Sequence, residues 1–226
     1  MRLARGAMPW IAVPLVAAGG MLALGIRTAS FLWLAGGTVG VVAALFMAYF
    51  HRNPDRTPPG DPNVIVAGAD GTVRRVEEVD DGRFPENRAL CLSIFLSPLD
   101  VHVNRSPITA TVTAYRYVPG RHFFTIKEKS SEYNEHTEIV LSAGGVRCIV
   151  HQIAGPFVRR VACWLREGER VAQGQELGMM RFGSRLDMYL PAATVRPCVG
   201  VGCKVFAGTT AVARIGSDEH DQQESS

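Results

Sequence analysis

Three short clusters in this 226-residue chain carry side chains that could do chemistry. They are Ala69-Asp70-Gly71, the run Leu96-Ser97-Pro98-Leu99-Asp100-Val101-His102-Val103-Asn104-Arg105-Ser106-Pro107, and Phe182-Gly183-Ser184-Arg185-Leu186-Asp187. Together they hold a serine, a histidine and several aspartates, the residue types of a nucleophilic site. A neutral serine hydroxyl attacks poorly until a base takes its proton and a further group orients that base. Asp100 and His102 lie two apart, so an extended backbone puts them on one face. Each cluster also has a plain reading: Asp-Gly as a turn, Asp100 and His102 as the cap of a strand end, Gly-Ser as a common dipeptide. The residues alone leave both readings open.

Any such site must be positioned by the segments after residue 60. These are short, rich in Val, Ile, Thr and aromatics, and punctuated by Gly and Pro, as in VIVAGADGTVRRVEEV, ALCLSIFLSP and TEIVLSAGGVRCIVHQIAG. None sustains a 3.6-residue period, so residues 63–216 are expected to form one mainly β domain, a barrel or sandwich with short helices at most. REGERVAQGQELGMMRFGS spaces Gly168, Val171, Gly174 and Leu177-Gly178 like a small barrel hairpin, and is similar to lipoyl and biotinyl carrier domains. Those carry a modified lysine at the hairpin tip. Here no lysine lies between Lys129 and Lys204, so the hairpin geometry is expected without the carrier function.

The first fifty residues differ in kind. Between Pro9 and Phe50 the only charged residue is Arg27. The runs 8–26 and 30–50 are each long enough for a helix across about 30 Å of hydrocarbon at roughly 1.5 Å per residue. The connection Arg27-Thr28-Ala29 is short, which predicts a transmembrane helical hairpin. Arg2 and Arg5 precede it and His51, Arg52 and Arg56 follow it, which puts both ends on the cytoplasmic side of the cell membrane. No small-residue cleavage site points to a signal peptide. HRNPDRTPPGDP, residues 51–62, reads as a linker, and residues 217–226 read as a disordered polar tail.

Composition narrows the function. The net charge of +3 is small and dispersed, unlike a nucleic-acid binder. The five cysteines form no regular framework, which fits a reducing compartment rather than a disulfide scaffold. Cys198 and Cys203 in CVGVGC lack the spacing of most zinc knuckles, so no metal is expected.

Taken together and in this order, SPLDVHVNRSP, QIAGPFVRR (Gln152 to Arg160) and RFGSRLD resemble the phosphatidylserine decarboxylases, particularly their short form. The resemblance covers almost everything after the linker. It implies a self-processing proenzyme, a pyruvoyl-dependent carboxy-lyase, with Asp70, His102 and Ser184 as the processing trio. Ser184 would attack the carbonyl of Gly183 and exchange amide for ester. β-Elimination and hydrolysis would then release a long chain, 1–183, and leave a short chain, 184–226, headed by a pyruvoyl cofactor. Glycine before the serine leaves the nucleophile room and permits unusual dihedrals. The two chains would stay together as a heterodimer, with a higher oligomer left open. The ketone would form a Schiff base with phosphatidylserine in the membrane and act as electron sink while carbon dioxide leaves, as pyridoxal phosphate does elsewhere. His102 would protonate the carbanion, giving phosphatidylethanolamine.

The match departs from the family in two places. Longer bacterial members carry D-x-H-x-x-H, with the processing base often assigned to the second histidine; here Arg105 stands in that place. Its planar guanidinium suits a substrate carboxylate or phosphate, and a surface ion pair is the competing reading. The residue after Gly-Ser is usually Thr or Ser and is Arg185 here. Asp100 and His122 are further candidate substrate ligands, with Phe123, Phe124 and Ile126 as an apolar lip for acyl chains. His136 and His151 are expected to be structural. Two other functions compete: a membrane-tethered serine hydrolase using Ser184 and His102, and a non-enzymatic membrane-anchored barrel module. An ether-linked substrate would share the same head group.

Overall fold

The computed structural model describes residues 2–120, 134–155, 161–180 and 183–216. The chain forms two compact units that meet at Asp55/Arg56.

In the first unit, β1 (Arg2–Leu3), α1 (Met8–Thr28), α2 (Phe31–Phe50) and β2 (Arg52–Asn53) follow in order. Strand β1 pairs antiparallel with β2 and closes the base of the helical hairpin. Both helices are long and apolar enough to cross a membrane. The seam between them is lined with glycines, set against Leu34, Met21, Leu22 and Ala18. A Cβ on Gly40 would stand 2.8 Å from the Cβ of Ala18, so glycine lets the backbones approach as close as membrane helices commonly do. Large apolar side chains such as Val16, Ile26 and Leu32 point outward instead, an arrangement that water would penalise and hydrocarbon does not.

The second unit is β throughout. Its strands are β3 (Val64–Val66), β4 (Gly71–Asp80), β5 (Arg88–Phe95), β6 (Val103–Arg105), β7 (Ala110–Val118), β8 (His136–Ala143) and β9 (Val146–Ile153). There follow β10 (Ala162–Cys163), β11 (Arg170–Val171), β12 (Glu176–Met179), β13 (Arg185–Pro191), β14 (Val195–Pro197), β15 (Lys204–Val205) and β16 (Ala211–Ile215). One antiparallel eight-stranded sheet runs β11-β7-β8-β9-β13-β5-β4-β15 and curls into a half-barrel. Register shifts between Val73 and Arg75 in β4, and between Val112 and Ala114 in β7, supply bends of the kind β-bulges make. Two three-stranded sheets, β10-β12-β6 and β14-β16-β3, complete the unit. The expected mainly β barrel behind an apolar helical hairpin is the fold observed.

Period-two alternation sets what each face carries. In β13, Leu186, Met188 and Leu190 join Leu92, Ile94 and Ile139 in the main core. Arg185, Asp187 and Tyr189 therefore face the opposite side of the sheet. Strand β13 is central, hydrogen-bonded to β5 on one side and β9 on the other. Ser184 immediately precedes it, so the candidate nucleophile sits at the end of one of the best-anchored strands of the unit.

Candidate active site

Asp70 closes the turn from β3 into β4. Gly71 follows because β4 meets β5 so closely there: a Cβ at this position would lie 2.2 Å from the carbonyl oxygen of Phe95. The Asp70 carboxylate is almost wholly buried. Its Oδ1 accepts the backbone N–H of Ala207 at 2.8 Å, and its Oδ2 accepts Nη2 of Arg56 at 2.8 Å. Burial pushes the carboxyl above its ordinary value; the Ala207 N–H and the Arg56 guanidinium offset only part of that rise.

The loop from Leu96 to His102 supplies the imidazole. The Asp100 N–H donates to the carbonyl of Ser97 at 2.9 Å, and Oδ2 of Asp100 accepts the Ser97 N–H at 2.9 Å, so the turn is tied twice. Oδ1 accepts Nζ of Lys204 at 2.7 Å. Burial alone would raise the Asp100 carboxyl, but the Lys204 ammonium and the Ser97 N–H outweigh it and hold the group below its usual range. The Asp100 carbonyl then accepts Nδ1 of His102 at 2.9 Å. A carbonyl can only accept, so Nδ1 carries the proton, and Nε2 is the basic nitrogen of the neutral ring. The atom that an orienting carboxylate would hold is thus given to a backbone carbonyl, while Asp70 faces Ala207 and Arg56.

The segment carrying the serine runs alongside this loop. The Met180 N–H donates to the His102 carbonyl at 3.1 Å, and the Leu96 N–H donates to the Ser184 carbonyl at 3.1 Å. Met180 and Ser184 are therefore each hydrogen-bonded to the 96–102 stretch. Gly183 has φ +67°, the left-handed region where glycine rests without penalty. Ser184 is fully buried, and among the described residues its Oγ has no hydrogen-bond partner. A buried hydroxyl left unpaired costs on the order of 1–3 kcal/mol, the sort of cost that persists where a group is held for chemistry.

The other candidates are placed differently. Arg105 leaves β6 on the face opposite Asn104. Its Nη1 donates to the carbonyl of Gly174 at 2.9 Å, and its stem packs where a Cβ on Gly208 would strike. Asn104 heads a buried chain, with Gln152 Nε2 donating to its Oδ1 at 2.7 Å and Thr137 Oγ1 donating to Gln152 Oε1 at 2.9 Å. Arg185 pairs with Asp187 through Nη2 and Oδ2 at 3.1 Å. His122, Phe123, Phe124 and Ile126 lie outside the described residues. His136 and His151 stack with centroids 5.0 Å apart, and Nε2 of His151 donates to Glu138 at 2.9 Å. Sequence reasoning missed Arg56, Lys204 and the Ala207 N–H. Nothing local marks them, because their partners lie 14, 104 and 137 positions away.

The family model for phosphatidylserine decarboxylase matches residues 43–213 of this chain. The chain belongs to the phosphatidylserine decarboxylase family. Among its relatives is the phosphatidylserine decarboxylase proenzyme of Desulfotalea psychrophila, 40% identical over 77% of this chain and 82% of that protein. A proenzyme of the same name from Chlorobium phaeobacteroides strain BS1 is 40% identical over 89% of this chain and 91% of its own length. That of Solidesulfovibrio magneticus is 38% identical over 94% and 95% respectively. The matched span begins within α2 and ends within β16, so the decarboxylase family model takes in nearly all of the described β unit, with all three clusters.

Proposed function

We propose that this chain is a phosphatidylserine decarboxylase that cuts itself between Gly183 and Ser184 and decarboxylates phosphatidylserine with the pyruvoyl group so formed. The observation that carries the reading is the Ser184 hydroxyl. It is buried, without a hydrogen-bond partner among the described residues, and follows a left-handed glycine, while the Ser184 carbonyl accepts the Leu96 N–H at the start of the His102 loop. That arrangement fits a serine consumed by its own chain.

In self-cleavage Oγ of Ser184 bonds to the carbonyl carbon of Gly183 as the amide C–N bond breaks, and the hydroxyl proton leaves to a base. Loss of the Cα proton then breaks the Cβ–O bond and frees Gly183 as a carboxylate. Water converts the remaining unsaturated residue to a ketone and ammonia. Nε2 of His102 is the atom that takes this proton, because Nδ1–H is already given to the Asp100 carbonyl. Asp70 and Asp100 set the charge around it, and Asp100 keeps its negative charge through Lys204.

The pyruvoyl group, when formed, supplies a ketone that can take the substrate amine and an electron sink as the carboxylate departs. His102 then returns a proton to carbon. Arg105 and His122 are retained as candidate ligands of the anionic head group. After cleavage the short chain keeps β13 inserted between β5 and β9, so the two chains are expected to remain a heterodimer. In this reading the two apolar helices anchor the enzyme in the cell membrane, and the arginines outside both helix ends favour a catalytic unit on the cytoplasmic side.

Intact mass under denaturing conditions tests this. The expected result is two chains, the smaller starting at residue 184 and lighter than its encoded mass by one ammonia, because the water lost in the elimination is regained in the hydrolysis. A single chain of full encoded mass, in protein given time to mature, overturns self-processing.

A further inference from the structure

Soluble domains rarely leave large apolar side chains grouped in water without a use for them. Among the described residues of the β unit, the exposed large apolar side chains are Leu99 at 63%, Tyr117 at 51%, Val201 at 66% and Phe206 at 46%. Three of these four sit on the two segments that hold the active site. Leu99 is in the turn between Ser97 and Asp100. Phe206 is two residues beyond Lys204, which grips Asp100, and directly precedes Ala207, whose N–H holds Asp70. Val201 stands at the tip of the turn leading into β15, which is clipped to β4 by Gly202 N–H to Val73 carbonyl at 2.8 Å and Val73 N–H to Cys203 carbonyl at 2.9 Å.

Cations are interleaved with them. The Arg56 guanidinium lies 5.5 Å from the centroid of the Phe206 ring, and exposed Arg74 lies 5.6 Å from that of Phe95. Lys204 is half exposed. Arg56, Arg74 and Lys204 against Asp70 and Asp100 leave the patch net positive, with the acids directed inward. Apolar tips ringed by arginine and lysine are the composition that settles into the head-group region of an anionic bilayer.

We propose that Leu99, Val201 and Phe206 form a rim that enters the surface of a phospholipid bilayer beside the segments that hold Asp70 and Asp100, so that the lipid substrate is taken up from the bilayer directly. This rests on the decarboxylase reading for its purpose, though not for its geometry. All three residues are on turns, so entering the interface breaks no ladder hydrogen bond of the sheet. The occupant is the bilayer itself; a second copy of the chain is the alternative that the test must separate.

The test uses the full chain and the neutral triple variant Leu99→Ser, Val201→Ser, Phe206→Ser. Two substrates are compared: long-chain phosphatidylserine in vesicles, and a short-chain phosphatidylserine below its micellar concentration. Self-cleavage is expected to go to completion. Turnover of the short-chain lipid should stay within about twofold, while kcat/KM for the vesicle substrate falls about tenfold, mostly in KM. Equal losses on both substrates, or no loss on either, overturn the proposal. So does a change in the mass of the detergent-solubilised assembly with unchanged vesicle kinetics, which would make the patch a contact between copies. A second measurement does not depend on activity. Phe206→Trp in vesicles with brominated acyl chains should show quenching beyond that of the parent's own tryptophans. If that quenching is seen while the parent turns over neither substrate, the rim stands and the decarboxylase reading falls; if it is absent, the rim falls.

Discussion

Replacing Gly183 separates two reasons for having glycine before a reactive serine. The first is conformational: φ +67° suits glycine and is costly for residues with a Cβ. The second is room for Oγ to reach the carbonyl. A Cβ built on Gly183 meets nothing within 4 Å among the described residues, which favours the first reason. If the left-handed backbone must be held for attack, alanine at 183 costs roughly 1–2 kcal/mol, a slowing of self-cleavage by about 5–30-fold. Asparagine tolerates this region better than alanine, and valine worse, so the rates should fall in the order Gly, Asn, Ala, Val. Crowding predicts another order, because asparagine is larger than alanine and would cut more slowly. The assay is a time course of chain separation in freshly synthesised protein, read by denaturing electrophoresis and intact mass. Stability is compared in a Ser184→Ala background so that every variant is uncleaved; Gly183→Ala should lower the melting temperature there by about 2–8 °C. Asparagine cutting more slowly than alanine, or alanine cutting as fast as glycine, would refute the conformational argument.

Other outcomes follow from the same geometry. Lys204→Met removes the ammonium that keeps Asp100 charged; decarboxylation should fall about 3–10-fold with a shifted pH profile, Lys204→Arg should restore both, and stability should change by less than about 1 kcal/mol because the pair is half exposed. Gly71→Ala drives a Cβ to 2.2 Å from the Phe95 carbonyl and should cost about 3 kcal/mol or more, seen as loss of soluble protein even with Ser184→Ala. The His151 imidazole N–H, and after it Arg83, hold the Glu138 carboxyl at about 2 against burial. That depressed value means its contribution is present above the ordinary carboxylate range and lost as pH falls toward 2. Glu138→Gln should therefore destabilise by up to ~3 kcal/mol at neutral pH, with the gap to the parent closing on acidification in chemical-denaturation curves. The cleaved enzyme separates into two chains on unfolding, so its thermal midpoint should rise with protein concentration, whereas that of Ser184→Ala should not.

The sequence was most readable where cause and effect lie close together in the chain. Two apolar runs with a three-residue connection could only become a helical hairpin, and alternation in segments such as ALCLSIF dictated strands with one face inward. Asp70-Gly71, the Asp100–His102 run and Gly183-Ser184 could be singled out as candidates because each is a local pattern that the family resemblance picks out. The partners that tune them were not. Arg56 reaches Asp70 across 14 positions, Lys204 reaches Asp100 across 104, and the Ala207 N–H reaches Asp70 across 137. Those distances close only when β15 lies against β4, a pairing that β15's own two residues do not announce. Arg105 shows the same limit. Its spacing from His102 invites a functional role, while the carbonyl it bonds lies 69 positions away in the carrier-like hairpin.

Where the proposed cut falls matters as much as which bond it is. Strand β13 is flanked by β5 and β9, so breaking the chain just before it removes one covalent link and none of the ladder bonds that fix the new terminus. The short chain also carries Lys204 and Ala207, which hold Asp100 and Asp70 of the long chain. Each carboxylate of the site therefore has one partner on either side of the proposed break: Asp70 has Arg56 and Ala207, and Asp100 has Ser97 and Lys204. After the proposed cleavage the Asp100 turn, from whose carbonyl His102 hangs, would keep its ties to Ser97 in the long chain and gain its charge partner, Lys204, from the short one. A cut at an edge strand, or carboxylates held only by the long chain, would let the cofactor-bearing piece leave with the acid–base machinery intact on the other side. In the proposed product, the piece that bears the new terminus would also bring Lys204 and the Ala207 N–H to Asp100 and Asp70 of the other piece.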